Sequence, residues 1–277
     1  MKKTTVIKIG TALGLACAAA LPALMVAPGK ASKAQKAPFM GRNIAHRGLH
    51  TRDKSVPENS LSAFRSAVEN GYGVELDVQL SKDGQVVVFH DDTLSRVCGV
   101  DARVDELTLD ELRELRLCGT DETIPLFSEV LDIIGGRTPI ICELKTGRNN
   151  RQLCKKTCSL IKAYGGTVCI ESFDPTIVAW FRRHAPELLR GQLASPAAEY
   201  TKDGRPAWQG FVLSHTLLNF LARPQFIAYK IGKRPALVRL SEKLGAMVVG
   251  WTSHASENEE GRDTVIFEFY HPRVWFK

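Results

Sequence analysis

From Asn43 onward, short apolar runs with a period of two alternate with stretches whose apolar residues recur at helical spacing. The pattern predicts strands at 43–47, 139–145, 168–173, 189–193, 226–230, 247–252 and 265–269, and a strand pair between 71 and 92. It predicts a helix capped at Asn59 and ending near Glu69, with further helices at 107–115, 128–134, 152–164, 175–184 and 235–244. Strands alternating with helices over roughly 235 residues point to a parallel sheet closed into an eight-stranded (β/α)8 barrel of the TIM type. Nine candidate strands is one too many. The tight connection Ser81-Lys82-Asp83-Gly84 explains the surplus, because strands joined so closely are antiparallel. One member of that pair therefore belongs to a small insertion after the second strand region.

Within GYGVELDVQLSKDGQVVVFHDD (71–92), Val74, Leu76, Val78 and Leu80 alternate with Glu75, Asp77 and Gln79, so both acids share a face. An Asp83-Gly84 loop is the preferred two-residue turn; it pairs Lys82 with Gln85 and sets His90 opposite Asp77. With Ser81 opposite Gly84 instead, Leu80 faces Gln85 and His90 lies opposite Glu75. The Asp-Gly register returns His90 to the face of the two acids.

The chain has 277 residues, 44% hydrophobic and 24% charged, which suits one large folded domain. Its formal charge of +7 first suggests an anionic polymer as partner. Seven of the 37 basic residues, however, lie in residues 1–42, which hold no acid; the remaining 30 match the 30 Asp and Glu, and a nucleic-acid partner loses its support. Residues 1–42 read as an N-terminal segment and linker, with the barrel domain at 43–277. The nineteen uncharged residues Ile9–Ala27 are long enough to cross a bilayer. That length favours an uncleaved membrane anchor over a signal peptide whose removal would release the protein, and the flanking charges do not set its orientation. Setting Cys17 aside, six cysteines without paired CxxC spacing read as buried thiols.

Ala45-His46-Arg47-Gly48 closes the first strand, at the end where barrels of this kind collect catalytic residues. The strand at 139–145 closes on Glu143-Leu144-Lys145, an acid and a base on one face. The convergent set is Glu75, Asp77 and Glu143, with His46, His90, Arg47 and Lys145. Three carboxylates facing one mouth repel each other unless a cation joins them, and all-oxygen ligands favour Mg²⁺ or Ca²⁺. The histidines, with a reference pKa of about 6.5, are then free for proton transfer, while Arg47 and Lys145 offer charge to a phosphate. The combination describes metal-assisted phosphodiester cleavage.

The strings Ala45-His46-Arg47-Gly48, Pro57-Glu58-Asn59-Ser60, Glu75-Leu76-Asp77, Leu80-Ser81-Lys82-Asp83-Gly84, His90-Asp91 and Glu143-Leu144-Lys145 resemble the glycerophosphodiester phosphodiesterase family. Looser agreement continues at Ser172-Phe173, Arg190-Gly191 and Trp251-Thr252. The resemblance implies a β/α barrel that hydrolyses small glycerophosphodiesters of lipid breakdown to glycerol 3-phosphate and an alcohol. It implies a metal on Glu75, Asp77 and Glu143, with His46 and His90 as acid and base. Arg47 and Lys145 would contact the phosphate and Trp251 would line the glycerol pocket. Glu58 either positions Arg47 or is simply a helix-start acid. The chain departs from the family at Ser253-His254 and Phe267-Glu268, where an asparagine and a Thr-Asp are common. Those positions are expected away from the metal triad, bearing on substrate choice. Two rival readings are a catalytically silent, membrane-anchored barrel that binds phosphorylated ligands, and a phospholipase acting on intact lipid, which needs an apolar surface near the site.

Overall fold

The computed structural model describes residues 21–276, so most of the Ile9–Ala27 run, and Cys17, lie outside the described residues. Nine strands form one sheet: β1 (Arg42–Ala45), β2 (Gly73–Leu80), β3 (Val86–Val88), β4 (Ile140–Leu144), β5 (Val168–Ser172), β6 (Arg190–Ala194), β7 (Phe226–Lys230), β8 (Met247–Ser253) and β9 (Thr264–Phe267). Eight are parallel and close into a ring, because β1 pairs with both β9 and β2, and β2 pairs with β4. The ninth, β3, stands outside the ring, antiparallel to β2. This is the (β/α)8 barrel with an inserted strand that the alternation predicts.

The hairpin register differs from the expected one. Val78 pairs with Val88 and Leu80 with Val86, and Ser81 N–H donates to the Gln85 carbonyl, so the loop has three residues, Lys82-Asp83-Gly84. The Ser81 hydroxyl organises it, donating to Asp83 Oδ1 at 2.5 Å and accepting from Gln85 N–H at 2.9 Å. Phe89, not His90, therefore lies opposite Asp77, with Phe89 N–H donating to the Asp77 carbonyl. Phe89 turns into the insertion's own small core with Val87, Leu94, Val104, Leu112 and Ile124. His90 reaches the barrel mouth because β3 ends at Val88, not because of strand parity.

Inside the ring, Ile44, Ile141, Cys169, Phe226, Met247, Val249 and Ile266 pack together. Gly191 makes room for that core, since a Cβ there would sit 2.0 Å from the Phe226 ring. Outside it, Leu76, Val78, Ile140 and Ile170 pack against the apolar stripes of the helices Leu61–Glu69, Phe127–Ile134 and Asn150–Tyr164. The first of these helices is capped by Ser60, whose hydroxyl accepts from Ala63 N–H, rather than by Asn59. Three helices between β6 and β7, Ala197–Lys202, Ala207–Ser214 and Asn219–Ala222, lie where the pattern predicts none. The sequence AWQGFVLS of the middle one is nearly apolar all round, and no single stripe marks it.

A strap formed by residues 24–39 crosses the end of the barrel where the strands begin. Arg223 donates to the Leu24 and Ala27 carbonyls, Gln225 to Lys30, Gln35 to Glu187 and Lys36 to Gly245. Phe39 is buried against the inner core and closes the floor. The six cysteines among the described residues are free thiols. No helix of the described residues is long and apolar enough to cross a membrane.

Candidate active site

At the opposite end, the inward rows of the barrel change from apolar to ionisable within one step of the pleat. Ile44 is followed on the same face by His46, Ile141 by Glu143, Cys169 by Glu171 and Ile266 by Glu268. Pairing sets Asp77 level with Glu143, and Glu143 level with Glu171. His46, Arg47, Glu75, His90, Glu143, Lys145, Glu171 and Trp251 all line one cavity of about 420 Å³, with Asp77 buried beside it. The convergent set read from the sequence, with Trp251, is thus brought to one place, whereas Arg190-Gly191 lies at the floor, where Arg190 donates to the Ala222 and Arg223 carbonyls.

Glu75, Asp77 and Glu143 are all buried, and one oxygen from each lies within 4.8 Å of the other two. Burial, then the neighbouring carboxylates Asp77, Glu143 and Glu171, pushes Glu75 well above the usual carboxylate range. Glu143 is raised in the same way, by burial first. Burial also opposes ionisation of Asp77, but Lys145, His90, Arg47 and a hydrogen bond from Asn59 outweigh it and hold this carboxyl well below its ordinary value. Lys145 Nζ bridges Asp77 Oδ1 at 3.1 Å and Glu143 Oε1 at 2.8 Å. The cluster carries more negative charge than its cations balance. A buried, all-oxygen donor set of this kind fits a hard divalent ion.

Backbone geometry aims several of these groups. Arg47 sits at φ 53°, a left-handed conformation that is rare for a bulky side chain and costs about 1–3 kcal/mol, and this turns its N–H onto Glu75 Oε2 at 3.0 Å. Asn59, also left-handed at φ 57°, donates its backbone N–H to the Arg47 carbonyl and its side-chain amide to Asp77 Oδ2 at 2.9 Å. The residue read as a helix cap is thus an Asp77 partner. Gly48, at φ 80°, follows Arg47 where a Cβ would meet the Ala63 backbone at 2.8 Å.

Both histidines present the same arrangement. His46 Nδ1 lies 2.8 Å from Glu268 Oε2, and His90 Nδ1 lies 2.6 Å from Asp91 Oδ1. In each ring a carboxylate holds Nδ1 and leaves Nε2 for the cavity. Burial and the adjacent Arg47 lower His46 to about 4 despite Glu268. Glu268 therefore touches a histidine of the site, a contact that its expected place away from the metal triad did not include; the spacing Ile266, Glu268 on one strand face is the signal that marks it. Asp91 is pinned in turn by Arg96 at 2.6 Å, and Arg96 donates to both oxygens of Glu58, at 2.7 and 2.8 Å. Glu58 also takes Arg47 Nη1 at 2.6 Å, so it does position Arg47. Arg47 and Arg96 overcome the burial of Glu58 and hold it down at about 2.

Glu171 was not singled out from the sequence, although Cys169-Ile170-Glu171 repeats the alternation that exposes Glu75. It is fully buried with one oxygen unpartnered, and burial with Glu143 and Asp77 raises it well above the usual range. Trp251 donates its indole N–H to the Ala228 carbonyl at 3.0 Å and packs edge-on against Phe173, presenting an apolar wall to the cavity.

The family model described as the glycerophosphoryl diester phosphodiesterase family matches residues 46–264. A glycerophosphodiester phosphodiesterase of Caldanaerobacter subterraneus is 37% identical over 163 residues, covering 54% of this chain and 65% of that protein. The human lysophospholipase D GDPD1 is 36% identical over 143 residues, covering 47% of this chain and 44% of its own length. The chain thus spans less than two thirds of either relative. Among solved structures, an Oleispira antarctica phosphodiesterase in complex with its product sn-glycerol-3-phosphate superposes with a TM-score of 0.68 at 25% identity, over 84% of this chain and 94% of that one.

Proposed function

This chain belongs to the glycerophosphoryl diester phosphodiesterase family, and we propose that it is a metal-dependent phosphodiesterase cleaving soluble glycerophosphodiesters to glycerol 3-phosphate and an alcohol. One observation carries the reading: two histidines, each held at Nδ1 by its own carboxylate, face a cavity lined by Glu75, Glu143, Lys145 and Arg47, with Asp77 clustered behind the two glutamates. Glu75, Asp77 and Glu143 would hold a divalent cation, Mg²⁺ or Ca²⁺, which would supply Lewis-acid polarisation of a phosphoryl oxygen. Lys145 and Arg47 neutralise the phosphate and orient it. His46, neutral at physiological pH, accepts the proton of the attacking hydroxyl at Nε2. His90, with Asp91 behind it to stabilise the imidazolium, gives its Nε2 proton to the departing alkoxide. Trp251 and Phe173 pack against the glycerol carbons.

The N-terminal apolar run, in this reading, tethers the protein to a membrane. The strap takes in the last four residues of that run and lies under the floor, so a barrel tethered by the residues before Leu24 turns its mouth away from the bilayer, which favours soluble substrates over lipid in that bilayer. A second reading, cleavage of an intact lysolipid, draws support from the helix Ala207–Ser214. It follows the cavity-lining residues Tyr200, Asp203 and Arg205 and leaves Trp208 67% and Phe211 52% exposed, the apolar surface such a substrate needs. Release of glycerol 3-phosphate from glycerophosphocholine by the purified chain, lost with a chelator and restored by Mg²⁺ or Ca²⁺, is the expected result. Turnover of lysophosphatidylcholine but not glycerophosphocholine selects the second reading, and turnover of neither, with either metal, overturns both.

A further inference from the structure

Among the described residues, a second cluster of metal-ligating side chains forms behind His46, on the side away from the three carboxylates. Glu268 Oε2 contacts His46 Nδ1 at 2.8 Å and approaches His50 Nε2 at 3.5 Å, while Glu268 Oε1 approaches His254 Nε2 at 3.7 Å. Ligand atoms of His46, His50 and Glu268 all lie within 4.8 Å of one another. The His50 side chain is only 7% exposed, and its Nε2 is buried without a hydrogen-bond partner. A buried imidazole nitrogen 3.5 Å from a carboxylate, without a well-formed hydrogen bond to it, leaves a donor set with room for an ion between them. Phe269 fixes the outer pair of rings, edge-on to His50 at 4.9 Å and parallel to His254 at 6.2 Å.

We propose that His46, His50 and Glu268, with His254 as fourth ligand, form an inhibitory binding site for Zn²⁺. The ligand set decides the metal: imidazoles with one carboxylate suit Zn²⁺ and not the hard ions of the all-oxygen cluster. Tetrahedral Zn²⁺ bonds of about 2.0–2.2 Å place neighbouring ligand atoms about 3.3–3.5 Å apart. The His50 separation from Glu268 Oε2 is close to that, His254 lies 3.7 Å from the other oxygen, Oε1, and the His46 contact must lengthen. Binding replaces the proton shared by His46 Nδ1 and Glu268. The single proton of the neutral imidazole moves from Nδ1 to Nε2, which faces Glu75 at 4.0 Å, and that nitrogen can no longer accept one. The metal thus silences His46 without entering the cavity.

The inhibitory consequence rests on His46 serving as the base, whereas the site itself does not, and the experiment separates the two. Co²⁺ is titrated into the full chain carrying Glu75→Ala and Glu143→Gln, which removes the other cluster. The expected result is a saturable visible band of four-coordinate Co²⁺ at one equivalent, displaced by Zn²⁺, absent when His50→Ala is added and weakened by His254→Ala. His254 is largely exposed, so that variant keeps the test decisive even if His50→Ala disturbs folding. In the otherwise native chain with saturating Mg²⁺, His254→Ala is expected to raise the half-inhibiting Zn²⁺ concentration at least about tenfold, each chain being compared with its own rate in the absence of Zn²⁺. No band in the parent, or an undiminished band and unchanged inhibition in His254→Ala, overturns the proposal. A chain that binds Co²⁺ as expected but cleaves no glycerophosphodiester leaves the site standing and removes the proposed function.

Discussion

The two halves of the site are built differently. His46, Glu75, Asp77, Glu143 and Lys145 stand on or just beyond strands of the ring, mostly buried, and their aim is set by the barrel core beneath them. His90 stands on the insertion, with its side chain 31% exposed against 14% for His46, and is aimed by a chain of ion pairs, Asp91–Arg96–Glu58–Arg47. Both halves use ion pairs, but the first rests them on a packed core and the second hangs from them alone. Charges can be screened or protonated where a packed core cannot, so the halves should fail under different treatments.

The largest effect is expected from Glu143→Gln on the packed side, a fall in kcat/KM on the order of 10³-fold, measured with saturating Mg²⁺. His90→Ala should follow, at about 10²-fold or more on a choline ester. A diester with nitrophenol as leaving group needs no proton from His90, so its loss there should shrink, whereas that of His46→Ala should persist. Equal losses for both variants on both substrates would break the division of labour. Glu58→Gln should lower kcat by about tenfold through the misaimed His90 and Arg47, with binding of a metal at the carboxylate cluster, read by calorimetry, nearly unchanged. The smallest effect is in acid. Glu58 titrates at about 2 when folded, below its ordinary value of about 4.5, so its contribution to stability is complete above 4.5 and is lost as the pH falls toward 2. Urea midpoints followed over that window should fall less steeply in Glu58→Gln than in the native chain; parallel curves would show that the ion-pair chain holds little.

The ring was legible because each of its strands carries its own period-two pattern, and the carboxylates were legible because they interrupt that pattern on one face. The hairpin register was not, since a two- or three-residue loop depends on whether one hydroxyl, Ser81 Oγ, bonds Asp83 and Gln85. Asn59 misled for a local reason: it precedes a helical stripe as a cap does, and only the folded β2 supplies Asp77 as the stronger partner. The contact between Glu268 and His46 spans 222 positions and exists because β9 closes the ring against β1, a fact no window of sequence contains. Of the helices between β6 and β7, the middle one was hidden by being nearly apolar on every side, and the other two by being only six and four residues long.

Glu58 has a consequence for how such a scaffold diversifies. The insertion leaves the ring after β2 and is stitched back near it, with Val87 bridged to Leu126, and it carries its own apolar nucleus. It is close to a cassette, and Glu58, on the barrel side, is the latch that fixes its seating through Arg96. A substitute loop of quite different length and surface could be installed without rebuilding the ring, provided it returns an arginine to Glu58 and a histidine to the mouth.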